Sequence, residues 1–168
     1  MDWSVATTAT QALWLLPFAL PVCLWVAWSD MKFMLIPNKA VLTLLGIWAV
    51  VGFFAFPLDQ YGWRWMHFIY VICAGFLLNS AGLVGAGDAK FAAAMAPFVA
   101  GADLIAFLFL FCAVMLAAWL AHRIGKHTPV IRAATPDWQS WEQKKDFPMG
   151  LALAGSLILY LVLGITVQ

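Results

Sequence analysis

The sequence predicts an all-α, polytopic membrane protein with about six transmembrane helices and its N-terminus outside. Of the 168 residues, 65% are hydrophobic and only 10% are charged, whereas ordinary globular chains are roughly 45–50% apolar and about 25% charged. Several apolar runs also reach the roughly 18–20 residues that a helix needs to cross a bilayer. The length suits a single integral-membrane domain over residues 1–168.

The predicted helices cover approximately residues 11–28, 37–56, 65–83, 89–100, 104–120 and 148–167. Pro17 and Pro21 lie inside the first helix, which is acceptable because neighbouring groups in a membrane can satisfy the freed carbonyls. The turn-rich residues 57–62 predict a loop before the third helix. The fourth helix is short and interrupted by Pro97, so its ends are the hardest to place. Residues 122–147 form the one long polar loop.

The lysine and arginine residues predict the orientation of these helices. With six helices, one set of loops contains Arg64 alone. The opposite set contains Lys32, Lys39, Lys90, Arg123, Lys126, Arg132, Lys144 and Lys145. Basic loops stay in the cytoplasm, so the second set is predicted to be cytoplasmic in a multi-pass protein of the cytoplasmic (inner) membrane.

Charge and cysteine content argue against several functions. The net charge of +1 provides no basic field for nucleic acid. Cys23, Cys73 and Cys112 lie in apolar segments without CxxC pairing, so they are predicted to be small buried hydrophobic residues. Histidine and cysteine clusters are missing from the sequence, so neither a metal nor a cofactor is expected.

The stretch Gly85-Ala86-Gly87-Asp88-Ala89-Lys90 lies between two strongly apolar segments. An ionisable residue near or within a membrane is a functional hypothesis by default. Gly85 and Gly87 have no side chains, so we expect them to leave room beside Asp88 for another backbone or a substrate. Lys90 is a candidate ligand for a lipid phosphate, a substrate carboxylate or Asp30.

A second carboxylate, Asp30, lies at the start of the predicted first loop, residues 29–38, which ends in Pro37 and Asn38. We expect Pro37 and Asn38 to place this loop. The predicted orientation puts Asp30 and Asp88 at the same membrane face, and therefore near one another. Two close carboxylates share a proton, so one can activate a water while the other donates to a carbonyl oxygen. Such a pair hydrolyses a peptide without a metal or a cofactor.

The pattern Asp30-x5-Ile36-Pro37-Asn38, together with Gly85-x-Gly87-Asp88-x-Lys90, resembles the type IV prepilin peptidases. These are membrane aspartic proteases of the GxGD class. The resemblance covers most of the chain, including the entry to the last helix at residues 145–150. It implies that Asp30 and Asp88 are the catalytic aspartates. It also implies a prepilin substrate, with a short basic leader and a hydrophobic helix, that is cut on the cytoplasmic side of the lipid membrane.

The chain differs from the longer members of this family, and the difference narrows the resemblance to the short members. Longer members carry a cytoplasmic insertion with paired CxxC motifs and also methylate the new pilin N-terminus. This chain has no CxxC and reaches Pro37 within ten residues of its first predicted helix. It therefore resembles the short peptidases of Flp (tight-adherence) pilus systems, and methyltransferase activity is not predicted. Archaeal preflagellin peptidases share this layout, so the filament and the oligomeric state stay open.

Two other functions remain open from the residues alone. A small proton-coupled transporter uses intramembrane carboxylates as relays, usually near the midplane and within a repeat. A non-catalytic membrane subunit of a secretion machine would also contain these helices. Such a subunit should tolerate Asp30→Asn, and detection of a cleaved leader separates a peptidase from a transporter.

Overall fold

The computed structural model describes residues 5–143 and 146–167, and within these residues the chain folds into helices without a β-strand. The helices, in chain order, are α1 Ala9–Phe33, α2 Asn38–Ala55, α3 Leu58–Ser80, α4 Ala86–Met95, α5 Leu104–His127, α6 Pro129–Ala134 and α7 Met149–Thr166. The prediction of an all-α fold is therefore confirmed.

Four helices in the described residues are long and apolar enough to cross a membrane: α1, α2, α5 with its preceding turn, and α7. The protein is thus a membrane protein, and the count of six spans stays a prediction. The ten residues of α4 rise only about 15 Å, roughly half of a hydrocarbon core.

The end of α1 differs from the sequence prediction. Asp30 lies in the last turn of the helix, and not in a loop, because α1 continues to Phe33. The helix stops at Met34, whose φ of 51° is left-handed and whose N–H donates to the carbonyl oxygen of Asp30. The carboxylate is therefore held on a regular helix.

The start of α3 differs as well. The helix begins at Leu58, so the loop predicted for residues 57–62 is wrong. Pro57 has the extended backbone of a residue before a helix, and Asp59 lies in the first turn, where a negative charge suits the helix dipole.

Other boundaries moved as well. The predicted helix 89–100 is α4, which ends at Met95, and α5 continues to His127 instead of ending near residue 120. The predicted loop 122–147 therefore contains the end of α5 and the short helix α6.

The core lies between α1 and α7, which pack against one another more extensively than any other pair of helices. Its fully buried side chains include Leu15, Val26, Leu157 and Leu161. Trp48 of α2 closes one end of this core, where it packs on Phe56, Tyr61 and Phe98. Asp30 is therefore carried by the most firmly packed part of the molecule.

A buried polar network fixes the end of the bundle far from Asp30, which we call the opposite end. The Tyr160 hydroxyl donates to Asp103 Oδ2 at 2.6 Å, accepts from the Ala100 N–H at 3.0 Å and lies 2.7 Å from the Thr7 hydroxyl. Both Asp103 oxygens also accept from the Ala6 N–H. The network joins α7 to the N-terminal segment and to the connection before α5.

The cysteine prediction is right for one residue of three. Cys23 is buried in α1, whereas Cys73 and Cys112 are exposed on α3 and α5. An apolar segment in a membrane has a lipid-facing side, so apolar surroundings in the sequence do not imply burial within the protein.

Candidate active site

A cavity of about 910 Å³ lies at the end of the bundle that carries Asp30, which we call the site end. Both predicted aspartates, Asp30 and Asp88, line it. Its remaining walls come from residues 82–85, from one face of α5 and from the entry to α7. The residues on these last two walls are Cys112, Met115, Leu116, Trp119, Gln143, Asp146, Phe147 and Met149. Two carboxylates that are 58 positions apart in the sequence thus share one cavity.

Asp30 is held from two sides. Its side chain is buried, and its Oδ2 accepts a hydrogen bond of 2.6 Å from the Gly150 N–H at the start of α7. The Ser29 hydroxyl donates to the Leu35 carbonyl oxygen at 2.8 Å, which braces the turn after α1. The Asp30 carboxylate therefore has a fixed position before any substrate arrives.

Asp88 lies in the first turn of α4, just after a tight connection. Gly82 has a φ of +72°, which glycine adopts without strain. The Asn79 side-chain amide donates to the Val84 carbonyl oxygen at 2.8 Å and so closes this connection. Burial raises the pKa of the Asp88 carboxyl above its ordinary value, because the charged form loses its hydration. The Asp88 charge also acts on Asp30, so the two groups interact electrostatically.

The two glycines before Asp88 each avoid a different contact. A Cβ atom on Gly85 would lie 2.6 Å from Asp88 Oδ2, so this glycine makes room for the aspartate's own carboxylate. A Cβ atom on Gly87 would lie 3.3 Å from the Cβ of Ile36, in the turn after Asp30. Gly87 therefore leaves room for the side chain of Ile36, while the expected approach of another backbone or of a substrate beside Asp88 stays a prediction.

A side-chain hydrogen bond joins α4 to α2. The Lys90 ammonium group donates to Asn38 Oδ1 at 3.3 Å. Pro37 is the extended residue at which α2 begins. Lys90 thus contacts an amide that was not among its three expected partners, and the loop-placing role of Pro37 and Asn38 stays a prediction.

The sequence did not indicate one contact at the site. The Gly150 N–H meets Asp30 across 120 positions, and no local pattern predicts so distant a pair. Asn79 lies near the end of α3, where a polar side chain suggests a bond between helices, but its amide instead donates to the Val84 carbonyl oxygen of the following connection. Lys144 and Lys145, which entered the orientation count, lie outside the described residues.

The described residues contain no group of three or more His, Cys, Asp or Glu side chains that could hold a metal ion. His122 lies in the polar segment, with its ring stacked on Trp141 at 5.0 Å.

The fold and the site together define a helical membrane protein with two aspartates in one cavity between its helices. The family model of the type IV leader peptidase family (Peptidase_A24) matches residues 18–121, and the chain belongs to this family. The matched region includes Asp30 and the whole Gly85–Lys90 stretch, and it ends before α7. Neither a curated protein nor a solved structure was found to match the chain. Membership makes the protein a peptidase and confirms the resemblance noted above.

Proposed function

We propose that this protein is an aspartic endopeptidase that removes the leader of type IV prepilin-like precursors, with Asp30 and Asp88 as its catalytic pair. The observation that supports this most strongly is that both carboxylates line one cavity. Membership of the leader peptidase family supplies the reaction class.

The proposed reaction needs one proton on the pair. The ionised carboxylate takes a proton from a water molecule as the water oxygen bonds to the scissile carbonyl carbon. The protonated carboxyl donates its proton to the carbonyl oxygen, as in paired-aspartate proteases. The tetrahedral intermediate then collapses: the C–N bond breaks as the carboxyl that took the water proton gives it to the leaving nitrogen. The other carboxylate takes a proton back from a hydroxyl of the intermediate, which restores the singly protonated pair, and the new acid of the leader loses its proton to the released amine or to water. Burial raises the pKa of the Asp88 carboxyl, which favours a proton on the pair.

The cavity lining suits a peptide with a basic part and an apolar part. Among the residues that the structure describes, three carboxylates line the cavity, namely Asp30, Asp88 and Asp146, and no lysine or arginine does; Lys144 and Lys145 lie outside the described residues. One basic group of the nearby polar segment has another partner, since Lys126 donates to the Gln143 carbonyl oxygen at 2.8 Å. The apolar face of α5 forms the opposite wall. These features favour a basic leader followed by a hydrophobic helix.

We further propose that the site end faces the cytoplasm from the inner membrane. The support is the count of eight basic residues against one in the predicted loops. Absence of CxxC pairs in the sequence favours the short Flp (Tad) form without methyltransferase activity.

The test is cleavage of a co-expressed Flp-type prepilin, measured as a mobility shift in isolated membranes. Asp30→Asn and Asp88→Asn keep the side-chain shape and should each lower the rate by about 10²–10⁴-fold, the usual contribution of a general acid or base. Asp137→Asn is the matched control, because Asp137 is exposed in the polar segment and does not line the cavity. Wild-type rates in either cavity variant would remove that residue from the mechanism. Wild-type protein that leaves a panel of prepilins uncut would favour the transporter or subunit instead.

A further inference from the structure

The N-terminal end of α7 meets the Asp30 carboxylate, although it lies beyond the region that the family model matches. We infer that Gly150 is a positioning residue of the active site: its N–H holds one oxygen of Asp30, and its missing side chain leaves the space that Asp30 occupies. This inference rests on the proposed function only for its effect on catalysis. The contact itself can be tested without activity.

The hydrogen bond satisfies a group that the helix cannot satisfy alone. The first N–H groups of a helix have no partner within it, and Pro148, which precedes α7, supplies no side-chain cap. Gly150 is the second residue of α7, and its N–H donates to Asp30 Oδ2 at 2.6 Å with both residues buried. The Asp30 carboxylate therefore caps α7 from another helix.

The contact between residue 150 and Asp30 requires a glycine because no space is left for a side chain. A Cβ atom on Gly150 would lie 2.9 Å from Asp30 Oδ2, 3.0 Å from Asp30 Cβ and 3.1 Å from Asp30 Cγ. Rotation of the carboxylate can relieve the first contact but not the second, since Asp30 Cβ is fixed to the backbone of α1. Because α1 and α7 are packed along their lengths, any added side chain must displace Asp30 itself.

The two oxygens of Asp30 therefore have different roles. Oδ2 is engaged with α7, which leaves Oδ1 for the proton transfers of the reaction. One carboxylate of the pair is thus oriented in advance by the backbone, and a displacement of about 1 Å in such a group can cost about 10²-fold in rate.

The contact is tested by NMR of the full chain in detergent micelles, with ¹⁵N at its 12 glycines. The Gly150 amide signal is assigned by its loss in Gly150→Ala. Asp30→Ala removes the acceptor, so the Gly150 amide proton should move to higher field by more than any other glycine. The Gly155 amide, in the same helix, should stay in place. A Gly150 signal that does not respond to Asp30→Ala would overturn the inference, whatever the protein cleaves.

The catalytic effect is tested by comparing Gly150→Ala with Gly155→Ala in the prepilin assay. A Cβ atom on Gly155 would lie 3.2 Å from Val114 Cγ1, so this control also crowds α7 but far from Asp30. We expect Gly150→Ala to lower kcat by about 10²-fold while KM stays within about twofold, and Gly155→Ala to keep kcat. Equal kcat losses in the two variants, or an unchanged kcat in Gly150→Ala, would contradict a positioning role. Failure of the wild type to cleave would instead count against the proposed function.

Discussion

Substitution of Gly85 by alanine should produce a protein that folds but cleaves about 10²-fold more slowly. The added Cβ atom would lie 2.6 Å from Asp88 Oδ2, and ordinary contacts begin near 3.4 Å. The Asp88 carboxylate must therefore move by about 0.8 Å. Because this carboxylate is the end of a flexible side chain, it can rotate away at little cost to folding.

The same movement is costly for catalysis. A misplacement of about 1 Å can reduce a rate by about 10²-fold, which corresponds to about 2.7 kcal/mol in the activation free energy. The assay is the initial rate of prepilin cleavage by purified protein in lipid vesicles, normalised to folded protein. We expect kcat to fall by roughly 10²-fold and the melting temperature to stay close to that of the wild type.

Two further glycine variants should lose less activity than Gly85→Ala, and they test the same steric explanation. Gly87→Ala adds a Cβ atom 3.3 Å from Ile36 Cβ, a tight contact that a small shift relieves, so its loss should be much smaller. Gly46→Ala has nothing within 4 Å of the new atom and serves as the control. If Gly85→Ala cleaves as fast as Gly46→Ala, the steric explanation of the first glycine is wrong.

The remaining predictions concern stability. Tyr160→Phe removes three buried hydrogen bonds at the opposite end, so it should lower the free energy of unfolding by about 1–3 kcal/mol. Thermal unfolding in detergent measures this loss, and the cleavage rate per folded molecule should stay the same. The control is Tyr70→Phe, because Tyr70 is exposed, and equal melting temperatures in the two variants would contradict the network. Lys90→Ala and Asn38→Ala should each cost at most about 1 kcal/mol, because their contact is exposed. In a double-mutant cycle, the two losses in the free energy of unfolding should not add up in the double variant. Fully additive losses would show that the contact does not form in solution.

The fold class and the aspartate pair were predictable because each depends on a strong local signal. Long apolar runs admit little besides helices in a membrane, since the backbone must satisfy its own hydrogen bonds there. The orientation count then put Asp30 and Asp88 at one face, and the shared cavity agrees with their expected nearness. The glycines of the Gly85–Lys90 stretch indicated crowding, although the crowding atoms belong to Asp88 and Ile36.

Other features depend on contacts that the sequence does not record. Asp30 is helical because α1 ends only at Met34, which has a left-handed backbone. Met34 is not a glycine, so its residue type does not indicate a helix end in the sequence. The partner of Lys90 is an amide 52 positions away, and the partner of Asp30 is a backbone group. A backbone N–H has no residue identity, so no sequence pattern can point to it.

The most direct test of the catalytic pair compares Asp30→Asn, Asp88→Asn and the double variant in the vesicle assay with a prepilin that the wild type cuts. Catalytic groups that act as one unit lose nearly everything when one of them is removed. We therefore predict that both single variants and the double variant fall to the same background rate, with Asp137→Asn at the wild-type rate. A double variant much slower than either single variant would contradict a shared mechanism, because each aspartate would then contribute independently.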